Sequence, residues 1–357
     1  MSDGNHFTKG IFYAVVLIGV TTGTMFGIST MSRMTRPPVT SVQRGYRGTG
    51  LEQLYNPAAL ADRLADKSNK WPGVLPEPGP NGPKAGQVYK NVKVLGGLSV
   101  GQFTRLMVTV AGWVAPKQGC AYCHNVANMA DDTNYTKRVA RRMFQMVQAI
   151  NSTWSTHVHQ TGVTCFTCHR GNPVPQYVWF HNPGPQAAGG YAETQTGMTH
   201  PNAVAGGSGL PYDPFTPFLE GTQNIRVQGT DPLPGGNLSS IKQTEWTYSL
   251  MMNMSQSLGV NCDYCHNTRD LGVWSDSSPA RVTAWYGIRM VRDINNTYLD
   301  SLQDVFPSYR LGPTGDNAKV YCMTCHQGVY KPLFGVSVLK KFPELARPIP
   351  PEGTGPT

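Results

Sequence analysis

Charged side chains make up only 14 % of this 357-residue chain and apolar ones 39 %. Both shares fall below those of a typical globular domain. So few apolar residues exclude a fold held by side-chain packing alone and call for another source of buried apolar contact. The scarcity of charge is uneven, because none occurs between Lys9 and Arg33. Cysteine is absent before Cys120, so no lipid thioether is expected at the N-terminus. Glycine (39) and proline (28) are instead plentiful, which implies many turns and much irregular backbone.

The eight cysteines all fall in one repeated pattern: Cys120-Ala121-Tyr122-Cys123-His124, Cys165-Phe166-Thr167-Cys168-His169, Cys262-Asp263-Tyr264-Cys265-His266 and Cys322-Met323-Thr324-Cys325-His326. Cys-x-x-Cys-His is the attachment signature of c-type haem. Two thiols add to the two vinyl groups along one edge of the ring, and the adjacent imidazole reaches the iron from one face. Paired zinc knuckles would need a different ligand count and spacing. The expectation is four covalently bound haem c groups, with no cysteine left for a disulfide. Flat macrocycles would also supply the missing apolar contact.

The formal charge of +9 suggests a nucleic-acid or membrane-surface partner. Four haems, however, bring about eight carboxylates, which Arg and Lys would pair. No nucleic-acid function is expected. Gly10 to Ser32, uncharged throughout, is long enough to span a bilayer, which takes about 20 residues. The competing reading is a cleaved signal peptide with a weak site near Gly27 to Thr30, and an uncleaved anchor is expected. Lys9 precedes the segment while Arg33, Arg36, Arg44 and Arg47 follow it, which by the positive-inside rule puts the C-terminal side in the cytoplasm. Haem attachment of this kind occurs outside the cytoplasm, so the haem domain is expected on the periplasmic face of the inner membrane, with lipid around the single span.

The chain divides into an N-terminal flank (1–9), an anchor (10–32), an extended arm with loops (33–97), a first haem-pair half (98–170), a Pro/Gly-rich connector (171–237), a second haem-pair half (238–330) and a C-terminal tail (331–357). The halves read as internal repeats. Ser99-x-x-Gln102 and Ser240-x-x-Gln243 are capping-box helix starts. Met146-Val147-x-x-Ile150-Asn151-x-Thr153-Trp154 recurs without a gap as Met290-Val291-x-x-Ile294-Asn295-x-Thr297-Tyr298. Ser278-Pro279 reads as a cap and first helical position. The expected fold is mainly α with extensive irregular loops: a multihaem cytochrome c built of two pseudo-repeated haem-pair halves and one N-terminal transmembrane helix.

Motif histidines His124, His169, His266 and His326 leave one iron position each to be filled. Helical Met107, Met143 and Met251 precede the first three motifs, and a thioether is a common sixth ligand that raises the potential. Met146, Met252 and Met254 compete with them, and any single helical Met is more often core. In the repeat alignment Gly287 stands where Met143 would be, so the fourth site needs a ligand from elsewhere. His157 or His159 would make it a bis-His centre.

These residues, with the segments LMVTVAGWVAPKQGCAYCHN, NSTWSTHVHQTGVTCFTCHRG, TYSLMMNMSQSLGVNCDYCHN and AWYGIRMVRDINNTYL, resemble the tetrahaem cytochrome c subunit of purple-bacterial-type photosynthetic reaction centres over about residues 40 to 335. The resemblance implies three Met/His haems and one bis-His haem, with Met107, Met143, Met251 and His157 as sixth ligands. It puts the haem of Cys262 and Cys265 nearest the chlorophyll special pair and that of Cys120 and Cys123 farthest out. It also implies that Arg281 lies near the innermost haem, whose potential its charge would raise; pairing with a propionate is a compatible alternative. Many members carry an N-terminal lipid on a cysteine, and a membrane span stands in its place here.

The implied role is electron transfer without catalysis of its own. A soluble periplasmic donor, either a small cytochrome c or a high-potential iron–sulfur protein, would feed electrons that re-reduce the photo-oxidised special pair held by the reaction-centre core subunits. A membrane-anchored tetrahaem quinol oxidase is the rival, but it would be shorter and mostly His-ligated. A multihaem reductase would need an open iron facing proton donors.

Overall fold

The computed structural model describes residues 4–32, 39–43, 52–65, 69–182, 200–202, 206–208, 210–211, 213–227 and 239–346. Arg33, Arg36, Arg44 and Arg47, which bear on the orientation of the span, lie outside them, as do residues 1–3, much of the connector and the end of the tail. The chain forms two units. The first comprises Met1–Val42 with Leu54–Ala65, and the second Gln43–Gln53 with Asp66–Thr357.

Helix α1 (Gly4–Ser32) belongs to the first unit and starts six residues before the expected anchor. Its Lys9–Ser29 stretch, with a mean hydropathy of 1.9 and no buried residue, is long and apolar enough to cross a membrane. The arm read as irregular contains α2 (Pro57–Ala65), α3 (Ala85–Val88) and the strands Thr40–Gln43 and Glu52–Tyr55. Short elements of this kind lack the length for a periodic signal in the sequence.

The second unit is helical. Helix α4 (Val100–Val114) starts at a reciprocal cap in which Gln102 N donates to Ser99 Oγ at 3.2 Å and Ser99 N to Gln102 Oε1 at 3.2 Å. It ends before Pro116, which disfavours helical geometry in the residue ahead of it. Helix α5 (Tyr135–Thr153) turns Phe144, Val147 and Ile150 inward, one face at helical spacing. Then come two single-turn helices, α6 (Ser155–Val158) and α7 (Cys165–His169). Helix α8 (Ile241–Leu258) repeats the reciprocal cap with Ser240 and Gln243, and ends on Gly259 at φ 66°. Helix α9 (Pro279–Asp293) has Ser278 at its cap and Pro279 first, as expected, but the Ser278 hydroxyl is given to the Tyr264 carbonyl rather than to the helix. The last, α10 (Cys322–His326), is again one turn.

Two apolar clusters form the core. The larger joins Leu106 and Trp113 of α4, Phe144, Val147 and Ile150 of α5, and Phe342 and Leu345 from beyond α10. The smaller gathers Phe218, Leu219, Leu250, Ile288 and Val291. Within the span read as a tail, residues 332–345 thus fold onto the first cluster. Arg105 holds them: its guanidinium lies over the Phe342 ring at 4.2 Å, donates to Lys341 O at 3.0 Å and sits 3.5 Å from the Glu344 carboxylate.

A second polar clasp closes the unit. Lys319, 1 % exposed, donates to Asp316 at 2.9 Å, and His181 bridges Glu220 at 2.6 Å and Asp316 at 3.6 Å. Removing one partner of a buried pair strands the other charge, at a cost of about 3–5 kcal/mol. Asp316→Asn is therefore expected to lower the thermal denaturation midpoint of the folded chain by several degrees. An unchanged midpoint would show that Lys319 finds adequate solvation without Asp316.

Candidate functional site

The four cysteine motifs adopt two local geometries. The first and third are 3-10 turns, Gly119–Tyr122 and Cys262–Tyr264, in which the His124 and His266 amides donate to Cys120 O and Cys262 O at 3.0 and 2.9 Å. The imidazole Nδ1 then faces a carbonyl five residues on: Met129 O at 3.2 Å for His124 and Leu271 O at 2.9 Å for His266. The second and fourth motifs are α7 and α10. Each ends on a left-handed residue followed by a positive-φ glycine, Arg170–Gly171 and Gln327–Gly328. Here Nδ1 faces a carbonyl three residues on: Asn172 O at 2.8 Å for His169 and Val329 O at 3.1 Å for His326. A carbonyl only accepts, so Nδ1 carries the proton in all four rings and the Nε2 lone pair is free for a metal. Burial pushes His169, His266 and His326 below the usual imidazole range, His326 to about 4, which keeps them neutral near pH 7.

Two asparagines fix the second and fourth motifs to the preceding long helices. Asn151 of α5 accepts from Val163 N at 2.8 Å and donates to Val163 O at 3.0 Å. Asn295, just past α9, accepts from Val320 N at 2.9 Å and donates to Val320 O at 3.1 Å. Each valine stands two residues before the first cysteine of its motif. The motifs are also tied back to α4 and α8, through Gly171 N to Trp113 O and Gly328 N to Ser257 O, both 2.8 Å.

A cavity of about 1070 Å³ opens between α4 and α5. Met107, Met143 and Met146 line it together with Cys120, Cys123 and His124 of the first motif and Cys165, Cys168 and His169 of the second. Its walls are chiefly Val, Leu, Phe and Met side chains, and its volume exceeds the roughly 300–1,000 Å³ of an ordinary small-ligand pocket. A mostly apolar slot, paired thiols on its wall and metal-ready imidazoles together fit covalently held haem. Burial pushes the Cys165 and Cys322 thiols up to about 12, so both stay protonated at neutral pH. The Cys168 and Cys325 sulfurs lie 3.0 Å apart, which brings the second and fourth motifs edge to edge.

At the fourth motif His157, on α6, faces His326 with ring centroids 6.2 Å apart. Two imidazoles binding one metal ion from opposite faces through bonds of about 2.0 Å keep a separation of about this size. The His157 Nδ1 donates to Thr283 O at 2.9 Å, so its Nε2 is also free, and burial pushes its pKa down. The absent side chain of Gly287 makes the room: a Cβ there would lie 2.6 Å from His157 Cε1. His159, the other candidate, is exposed. Of the competing methionines, Met146 is buried in the larger cluster while also lining the cavity, and Met252 is 46 % exposed. Met251 and Met254 both pack against the smaller cluster.

Arg281 donates to Val273 O at 2.8 Å and lies over the Trp274 ring at 4.1 Å, bracing the loop after His266. Sequence reasoning overlooked its counterpart: Lys137 donates to Met129 O and Asp131 O, both at 2.8 Å, in the loop after His124. The repeat alignment that paired Met143 with Gly287 also pairs Lys137 with Arg281, and would have found it. Asp132 fastens that loop through two 2.8 Å bonds from Arg141 and a 3.1 Å contact with Lys137. The Arg141 bonds hold its carboxyl well below the usual range. A carboxyl with a depressed folded pKa stabilises fully above the unfolded value of about 3.9, and that stability is lost as pH falls through the folded one. Asp132→Asn is thus expected to weaken the fold at neutral pH and to flatten its stability loss below pH 4. An identical acid profile for the variant would show that the clamp contributes nothing.

A family model described as photosynthetic reaction centre cytochrome C subunit matches residues 35–346. A protein named photosynthetic reaction center cytochrome c subunit from Rubrivivax gelatinosus is 51 % identical over 316 residues, 88 % of this chain and 85 % of that protein. The protein of the same name from Thermochromatium tepidum is 52 % identical over 309 residues, 87 % of this chain and 76 % of its own length. That from Roseobacter denitrificans is 38 % identical over 352 residues, 94 % of each.

Proposed function

Because the chain belongs to the photosynthetic reaction centre cytochrome c subunit family, we propose that it draws electrons from a soluble periplasmic carrier and returns them to the photo-oxidised chlorophyll special pair. The observation that carries this reading is the set of four Cys-x-x-Cys-His motifs, each with an imidazole whose Nδ1 faces a backbone carbonyl and whose Nε2 is left to a metal. Haem c, once attached, supplies reversible one-electron transfer.

The chain's own residues set the conditions. Cys120 and Cys123, Cys165 and Cys168, Cys262 and Cys265, and Cys322 and Cys325 would form the thioethers of four haems. His124, His169, His266 and His326 would ligate the irons. Met107 and Met143 would complete the first and second, which is supported by the one cavity they share with those motifs. Met251, on the helix tied to the fourth motif, would complete the third. His157 would complete the fourth, supported by its 6.2 Å separation from His326. Arg281 would keep positive charge beside the third haem. The shared asparagine and glycine ties support two pseudo-repeated halves. The apolar helix α1 would anchor the chain in the photosynthetic inner membrane with the haem domain on the periplasmic side, as the extracytoplasmic chemistry of haem attachment requires. The donor would be a small cytochrome c or a high-potential iron–sulfur protein. The family match leaves the quinol-oxidase reading without support.

Flash excitation of isolated membranes, followed by haem absorbance during a redox titration, tests the assignment. Fast haem oxidation after a flash in four resolvable one-electron components is expected. No flash response together with uniformly low potentials would remove the reading. A narrower test is Gly287→Ala. Alanine favours a helix by about 1 kcal/mol over glycine, yet its methyl would displace the His157 ring. One haem should lose its bis-His electron paramagnetic signature while the other three keep theirs, whereas four unchanged signals would exclude His157 as a ligand.

A further inference from the structure

Arg310 is a cation with no assigned role. It lines the α4–α5 cavity beside Tyr122 and Tyr135. Its Nη2 donates to Tyr122 Oη at 2.8 Å and its Nε to Tyr135 Oη at 3.1 Å. Three other buried or half-buried cations have carboxylates: Arg141 has Asp132, Arg105 has Glu344 and Lys319 has Asp316. Among the described residues no carboxylate lies within 4.0 Å of Arg310. Two phenols fix the direction of the guanidinium but cannot neutralise it, and a half-buried guanidinium normally has an anion to face.

The helix beneath the cavity indicates which anion. Asn151, near the end of α5, holds the segment that leads into Cys165. Met143 sits mid-helix, and Tyr135 is the first helical residue. At 1.5 Å per residue, Tyr135 lies about 12 Å along the axis from Met143 and about 24 Å from Asn151. A haem carries its carboxylates on the edge opposite its two thioether positions. A ring fastened at Cys165 and Cys168, near the end of α5, and reaching past Met143 would present that edge toward the start of the helix, on the side of Arg310.

Resting on the four-haem reading above, we propose that Arg310, oriented by Tyr122 and Tyr135, binds a carboxylate of the haem attached at Cys165 and Cys168. Arg310 is then a cofactor-binding residue supplied to the first haem pair from the second half of the chain. Its fixed charge favours the reduced state of that haem, whose potential it raises.

Redox titration of the haems in intact membranes containing Arg310→Gln, Arg310→Lys and Tyr135→Phe tests this. In Arg310→Gln one midpoint is expected to fall by about a tenfold change in its equilibrium constant, or about 59 mV for one electron, while three hold. Arg310→Lys keeps most of the potential. Tyr135→Phe loosens the same clamp without touching the charge, so it lowers the melting temperature and leaves all four midpoints in place. In a Met143→His background, which displaces the second haem to low potential, the Arg310→Gln decrement must move with that haem. Four unchanged midpoints in Arg310→Gln with only a lower melting temperature, or a decrement on another haem, overturn the assignment. Fewer than four haems per chain by intact mass would instead overturn the reading on which it rests.

Discussion

The asparagine clamps at Asn151 and Asn295 are the contacts on which the site geometry depends. Each side chain answers both the N–H and the C=O of one valine, so the segment leading into a single-turn motif helix is held to α5 or to the residues just past α9. Both asparagines also bind a third backbone group, donating to Leu345 O at 2.8 Å from Asn151 and to Leu219 O at 2.9 Å from Asn295. The same two atoms therefore position a cysteine motif and recruit the flanking segment that covers it. In a chain poor in apolar residues, these polar junctions do what a larger core does elsewhere.

Much of this was legible in the sequence because it is local. The four motifs, the Ser99 and Ser240 caps and the Met146–Trp154 repeat are all spacings of a few residues, and each is a rule about neighbouring backbone groups. Gly287 was legible as a missing methionine. That its bare Cα makes room for His157 was not, because that contact joins residues 130 apart in sequence. Ser278 shows the same limit on a smaller scale: its position as a cap followed from the Ser-Pro pair, while its hydroxyl went to a carbonyl 14 residues away. Phe342 and Leu345 were hidden for another reason. They lie in short 3-10 turns with neither helical nor strand period, so nothing in the pattern marks them as core.

The segments around α5 and α9 share a framework and differ in what is placed on it. Asn151 and Asn295 have the same partners at matched positions, whereas Met143 and Gly287 occupy equivalent points with opposite consequences. A framework of backbone-directed bonds tolerates this, because the clamp does not involve the side chain that faces the haem slot. One half can offer a thioether and the other make room for an imidazole without re-registering the helix. Ligand softness, and with it potential, is thereby separated from fold.

Charge follows the same logic. Lys137 and Arg281 stand at equivalent places, and each spends its donors on the carbonyls of the loop behind a motif histidine. Those carbonyls belong to the turns that orient His124 and His266 through Nδ1, so the cations stiffen the ligand as well as charging its surroundings. Lys137 faces the Asp132 carboxylate at 3.1 Å, while Arg281 lies over an indole at 4.1 Å. A low-dielectric setting magnifies such a difference. The first and third motif loops are thus braced by equivalent cations whose other neighbours differ, a carboxylate for Lys137 and an indole for Arg281.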